Sequence, residues 1–102
     1  MRVLVRAVGP GLIPFGVTGT LPRPVMTLFS GSSAIRTNTG WTADGYKADL
    51  AAAAQAVGAF ALADSSADSA VLVRLAPGSY TVQISDLGGT VGEALVEIYV
   101  VP

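Results

Sequence analysis

The side chains that most often perform catalysis are missing from this chain. It contains no histidine and no cysteine, which removes the commonest general base, the thiol nucleophile and the donors of nearly every transition-metal site together. Serine and threonine hydroxyls are plentiful, but a hydroxyl needs a neighbouring base before it attacks anything. The one lysine, Lys47, has no Ser-x-x-Lys leading to it, and no Gly-x-Ser-x-Gly elbow occurs. Gly9-Pro10-Gly11 opens like a dinucleotide fingerprint, yet the third glycine position holds Pro14 and no helix is expected after it. A non-catalytic protein is the expectation.

Carboxylates and aromatics remain. Asp64 and Asp68 share one polar loop, and Asp44 and Asp49 flank a predicted helix start. Calcium takes six or more oxygens, a density that neither pair reaches alone. Asn38, Asp44, Asp64 and Asp68 are therefore candidates only for a weak calcium site completed by backbone carbonyls; helix capping and a solvated loop are the plainer reading. No other cofactor is expected. The lone tryptophan, Trp41, with Tyr46, Asn38 and Asp44, forms a candidate glycan-binding set, since aromatic faces stack on sugar rings and short polar groups catch hydroxyls. A buried plug is the plainer role for a tryptophan.

The elements that must position these groups read mainly as β-strands. Val71, Val73 and Leu75 alternate along one strand and Tyr80, Val82 and Ile84 along the next, with Ala76-Pro77-Gly78-Ser79 between them. This predicts a hairpin closed by a type II turn, proline at its second position and glycine with positive φ at its third. Arg2 to Val8 places Val3, Val5 and Ala7 on one face and Arg2, Leu4 and Arg6 on the other. Glu93 to Val101 matches it, with Ala94, Val96, Ile98 and Val100 opposed to Glu93, Leu95, Glu97 and Tyr99. Side by side and antiparallel, the two terminal strands would pair arginines with glutamates on an outer face, with Leu4 touching Leu95.

Gly9 to Pro24 carries four prolines and four glycines, too many for a helix or central strand. Its Leu12, Ile13, Phe15, Val17 and Leu21 suit either a segment sealing an open edge of the core or a sticky loop. Val25 to Ser30 and Ala34 to Thr37 predict a short hairpin around Gly31-Ser32-Ser33. One Ala-rich helix is expected at about 46–57, with Leu50, Ala53, Ala54 and Val57 at helical spacing, Asp44 at or before its N-cap and Gly58 after its last turn. Ala59 to Ala63 should return to extended structure.

With 102 residues, 51% of them hydrophobic and 13% charged, the chain suits one globular domain, residues 1–102, with about half the usual charge to cover its surface. Net charge is −1 and the basic residues are scattered, so no stripe for nucleic acid or an anionic membrane exists. No apolar run reaches a membrane span. Met1-Arg2-Val3 passes straight into a strand without a signal peptide's apolar core, so an exported parent would carry that signal outside these residues.

Arg23-Pro24-Val25-Met26-Thr27-Leu28-Phe29, Asn38-Thr39-Gly40-Trp41, Leu75-Ala76-Pro77-Gly78-Ser79-Tyr80-Thr81-Val82 and Glu93-Ala94-Leu95-Val96-Glu97-Ile98-Tyr99 together resemble a repeat module of large secreted bacterial surface proteins. That module is itself similar to the bacterial pre-peptidase C-terminal (PPC-like) β-sandwich. The wider family often reads Asp-Pro before its first core strand and Asn-Asp before its tryptophan, acids that can serve calcium. Here Arg23 and Thr39 stand at those acids while Asn38 is kept. The resemblance implies a non-catalytic, jelly-roll-like antiparallel β-sandwich, extracellular or at the cell surface, present in tandem or appended to other domains.

The expected function is thus a structural or adhesive module associating with itself or with neighbouring domains of its parent. Leu4, Leu95 and Tyr99, with Leu12, Ile13, Phe15 and Val17, are the expected contacts. A fibre or surface-assembly subunit is one form of this, by edge or end stacking because no free tail is available for strand exchange. The alternative is a carbohydrate-binding accessory module using the Trp41 set.

Overall fold

Strand β1 (Arg2–Val8) runs through the middle of the molecule, and everything else is arranged on its two sides. Its Val-rich sequence favours extended backbone. It pairs antiparallel with β4 (Ser69–Arg74) on one edge and β6 (Leu95–Val101) on the other, giving a sheet of order β4-β1-β6. The second sheet, β3-β2-β5, joins β2 (Pro24–Ser30) antiparallel to β3 (Ser33–Asn38) and β5 (Tyr80–Asp86). The computed structural model describes residues 1–102, and its two antiparallel sheets with one short helix form a mainly β sandwich.

The helix α1 (Lys47–Ala56) adds a third layer on the far face of the first sheet. Leu50, Ala53 and Ala54 are its buried residues, and the small alanines let its backbone approach the strands closely. Gly58, at φ +75°, takes the left-handed conformation just beyond the helix that favours glycine. Two apolar clusters result. Val3, Val5 and Ala7 of β1 pack with Met26 and Val71 between the sheets. Leu4 packs with Trp41, Leu50, Ala53, Ala54, Ala70 and Val101 beneath the helix.

This third layer corrects the outer face expected for β1. Leu4 is 0% and Arg6 1% exposed, because the face opposite the sandwich core is roofed by the helix and by Phe60. Antiparallel pairing of the terminal strands holds, and Arg6 stands opposite Glu97, but Leu4 faces Tyr99 and Leu95 faces Val8.

A second correction concerns residues 69–85. Both strands form, but β4 joins the first sheet and β5 the second, so residues 75–79 arch between sheets and close no hairpin. Gly78 is not among the positive-φ glycines, as a type II turn would require. Tyr80 secures the arch by donating its hydroxyl to the Ala76 carbonyl at 2.5 Å. The 31–33 turn does close the β2–β3 hairpin, with a register shift between Leu28 and Phe29. Residues 59–63 form no strand.

The Pro/Gly-rich segment divides its tasks. Its Pro10–Phe15 stretch winds into a 3-10 turn with no buried residue, while Leu21 and Pro24 are buried. Buried Asp68 ties it down: Gly9 and Gly11 donate backbone N–H groups to Asp68 Oδ1 at 2.7 and 3.1 Å. Gly11 has to be glycine here, because a Cβ would lie 2.7 Å from the other Asp68 oxygen.

Candidate functional site

The residues proposed for calcium are each engaged within the chain. Asn38 is buried and fully used: its Oδ1 accepts from Ala70 N at 3.0 Å, and its Nδ2 donates to Gly40 O at 3.0 Å and Asp44 Oδ2 at 2.9 Å. Asp64 pairs with Lys47 at 2.6 Å on the surface. Asp68 accepts the two glycine N–H groups and the Ser66 hydroxyl. No three acidic side chains converge on a point that could hold an ion. Asp44 lies before the first turn of the helix and caps nothing, since no side chain caps that end.

The glycan set is split by burial. Trp41 is 4% exposed, with Nε1 donating to Ala63 O at 3.0 Å and its ring under the helix, so it is the core plug and offers no stacking face. Tyr46 is exposed beside Asp44, at the mouth of a cavity of about 190 Å³ that Arg36 and Asp49 also line. One tyrosine and a few polar tips remain of the platform.

The apolar contact residues are rearranged. Leu4 is interior, and Tyr99 is half-buried with its hydroxyl on Glu97 Oε2 at 2.6 Å. That hydrogen bond pushes the Tyr99 phenol above its ordinary 10.0, with burial and the Glu97 charge acting the same way and Arg6 opposing. Leu12 and Val17 are half-buried, while Ile13 and Phe15 are exposed, Phe15 tilted against Phe60 with ring centroids 5.0 Å apart. Leu95 stays 41% exposed.

The larger apolar surface lies where burial was expected. On the face of β6 turned toward the second sheet, Val96 is 42%, Ile98 62% and Val100 62% exposed. The second sheet rests on β4 and β1, leaving this row uncovered. Burying a valine or isoleucine side chain is worth about 1.5–3 kcal/mol, so the row is a substantial unused stabilisation. β6 is also an edge strand, unpaired on the side away from β1. The alternation of the row was visible in the sequence; what covers it depends on how far the partner sheet reaches, which no local pattern encodes.

Beneath the other face of β6, Arg6 and Glu97 form an ion pair, Nε to Oε1 at 3.0 Å. The pair is an electrostatic contact without hydrogen-bond alignment, and Arg6 Nη2 has no partner either. Arg6 Nη1 donates to Phe60 O at 2.8 Å, and the guanidinium lies 4.6 Å from the centre of the Phe60 ring. Glu97 is thus neutralised within its own chain, and β6 offers an edge with no free charge. The near-continuous Val-Leu-Val run of β1, typical of strands covered on both faces, was the one sequence sign that Arg6 would be interior.

Comparison with family models, curated proteins and solved structures gave no significant match. No helix is long and apolar enough to cross a membrane.

Proposed function

We propose that this chain is a non-catalytic structural or adhesive β-sandwich module that associates with itself or with neighbouring domains of its parent protein. The observation that carries the reading is the uncovered Val96, Ile98 and Val100 row on an unpaired edge strand, the combination by which sheets recruit further chains. Low charge elsewhere supports it. The extracellular setting, and a place in surface assemblies or fibres, rest on the resemblance of the sequence to secreted surface modules. Catalysis is left without an imidazole, a thiol or an activated hydroxyl to perform it. The carbohydrate alternative keeps Tyr46 but loses the Trp41 platform that motivated it.

The test is size-exclusion chromatography with light scattering over a concentration series, with and without calcium, and negative-stain microscopy of any large species. Discrete oligomers or fibres are expected. A monomer at every concentration, with no binding to a flanking domain, overturns the reading.

A further inference from the structure

We propose that the occupant of the bare edge is a second copy of this chain, its β6 laid antiparallel against the first about a two-fold axis through Ile98. The two three-stranded sheets then become one continuous sheet of six strands, β4-β1-β6-β6-β1-β4. This rests on the self-association reading above and assigns it a surface and a register.

Of the other edges, β3 and β4 are defended by charge or irregularity, and β5 lacks the bare apolar row that β6 carries. β3 carries Arg36 and pairs through a register shift. β4 ends on exposed Arg74, and β5, though its register is as regular as that of β6, exposes the polar row Thr81, Gln83 and Ser85, which gains nothing by being covered. β6 has no lysine or arginine, no proline before Pro102 and an unshifted register along seven residues. Charges, prolines and bulges are the devices that stop edge strands from pairing.

The strand is also complementary to itself. Centred on Ile98, the antiparallel register sets Ile98 opposite Ile98, Val96 opposite Val100 and Leu95 opposite Val101, apolar against apolar on every such rung. The only charged residue, Glu97, falls opposite Tyr99 of the other copy, so no two carboxylates are directly opposed. A slip of one residue would turn the bare row of one copy to the helix side of the other. A slip of two would leave strand ends unpaired. The helix rests chiefly on β4 and β1, leaving the approach to β6 open. A single strand edge buries less than the ~800 Å² per partner of a standard stable complex, so dimerisation is reversible and concentration-dependent.

The absence of native cysteine makes the register directly readable. Residues directly opposed in an antiparallel pair have Cα atoms about 4.5–5.5 Å apart, within disulfide reach. Ile98→Cys should therefore oxidise to a covalent dimer at least tenfold faster than Val91→Cys, at a more exposed site off the strand. Val96→Cys alone, about 13 Å from its own copy at four residues of offset, should cross-link slowly, whereas a mixture of Val96→Cys and Val100→Cys should give the mixed dimer quickly. Ile98→Lys should move the light-scattering mass to the monomer while circular dichroism shows it folded. Wild-type oligomers that persist in Ile98→Lys, with no preferred cross-linking at Ile98, overturn the β6 pairing and leave self-association standing. A wild type that is monomeric throughout overturns the β6 pairing and self-association together, and leaves the module reading resting on binding to a flanking domain.

Discussion

Two neighbouring strands of one sheet carry nearly the same pattern and meet opposite fates. β1 and β6 are both seven largely aliphatic residues, each with one wholly aliphatic row and one row that carries its charges, paired rung for rung. β1 is buried on both faces, between the second sheet and the helix. β6, one strand spacing away, has its corresponding row open to water. Alternation records which residues share a face; burial is decided by how far the covering layers extend.

Truncation at matched positions gives the largest expected effect. Leu4→Ala should destabilise the fold by about 3–5 kcal/mol, as a large-to-small change in a packed core does, read as the midpoint shift in urea. Ile98→Ala should stay within about 0.5 kcal/mol when measured on dilute protein; equal losses at the two sites would break the contrast. Next comes the ion pair bridging the strands. Arg6→Met should cost about 3 kcal/mol, because Glu97 is left without its counter-charge in a largely buried site, while the double variant Arg6→Met, Glu97→Leu should recover most of that loss.

The closed side of the sandwich offers a third comparison. Asn38→Ala strands the buried Ala70 N–H that crosses from β3 to β4, at about 2 kcal/mol. No equivalent tie joins β5 to β6. The smallest effect concerns the segment leading into β6, which Asp86 holds in place. Burial pushes the Asp86 carboxyl upward, but hydrogen bonds from the N–H groups of Arg23, Gly88 and Thr90 outweigh it and hold the carboxyl below the ordinary 3.8. Its contribution is therefore complete above that value and lost as pH falls through it toward the lower folded value. Asp86→Asn should flatten the acid limb of the stability profile there and leave the neutral region's slope unchanged.

Strand positions, the helix and Gly58 were legible because periodicity and turn chemistry act within a few residues. The arch at 75–79 was not, since a strand leaving Pro77-Gly78 can fold back or cross to the other sheet. That choice is made by β1 and β2 competing for partners, far away in the chain. Trp41 as a plug could be read from its size alone. Arg6 was marked only by the apolar Val3-Leu4-Val5 run beside it, because a cation under a helix requires a third layer and the Glu97 counter-charge to be known first. The Val96, Ile98 and Val100 row was legible as a row and misassigned as to cover, for the same non-local reason.

The position of β1 also governs how the molecule can form. Its ladder matches Arg2 with Arg74 on one side and with Val101 on the other, so the first strand made is completed only by the last. Such sequence-distant pairing closes long loops before any contact rewards them, and folding is correspondingly slow. A nascent chain can lay β4 against β1 once residues 69–74 are made, but cannot complete the sheet then. The edge of β1 that β6 fills stays open until residues 95–101 are available.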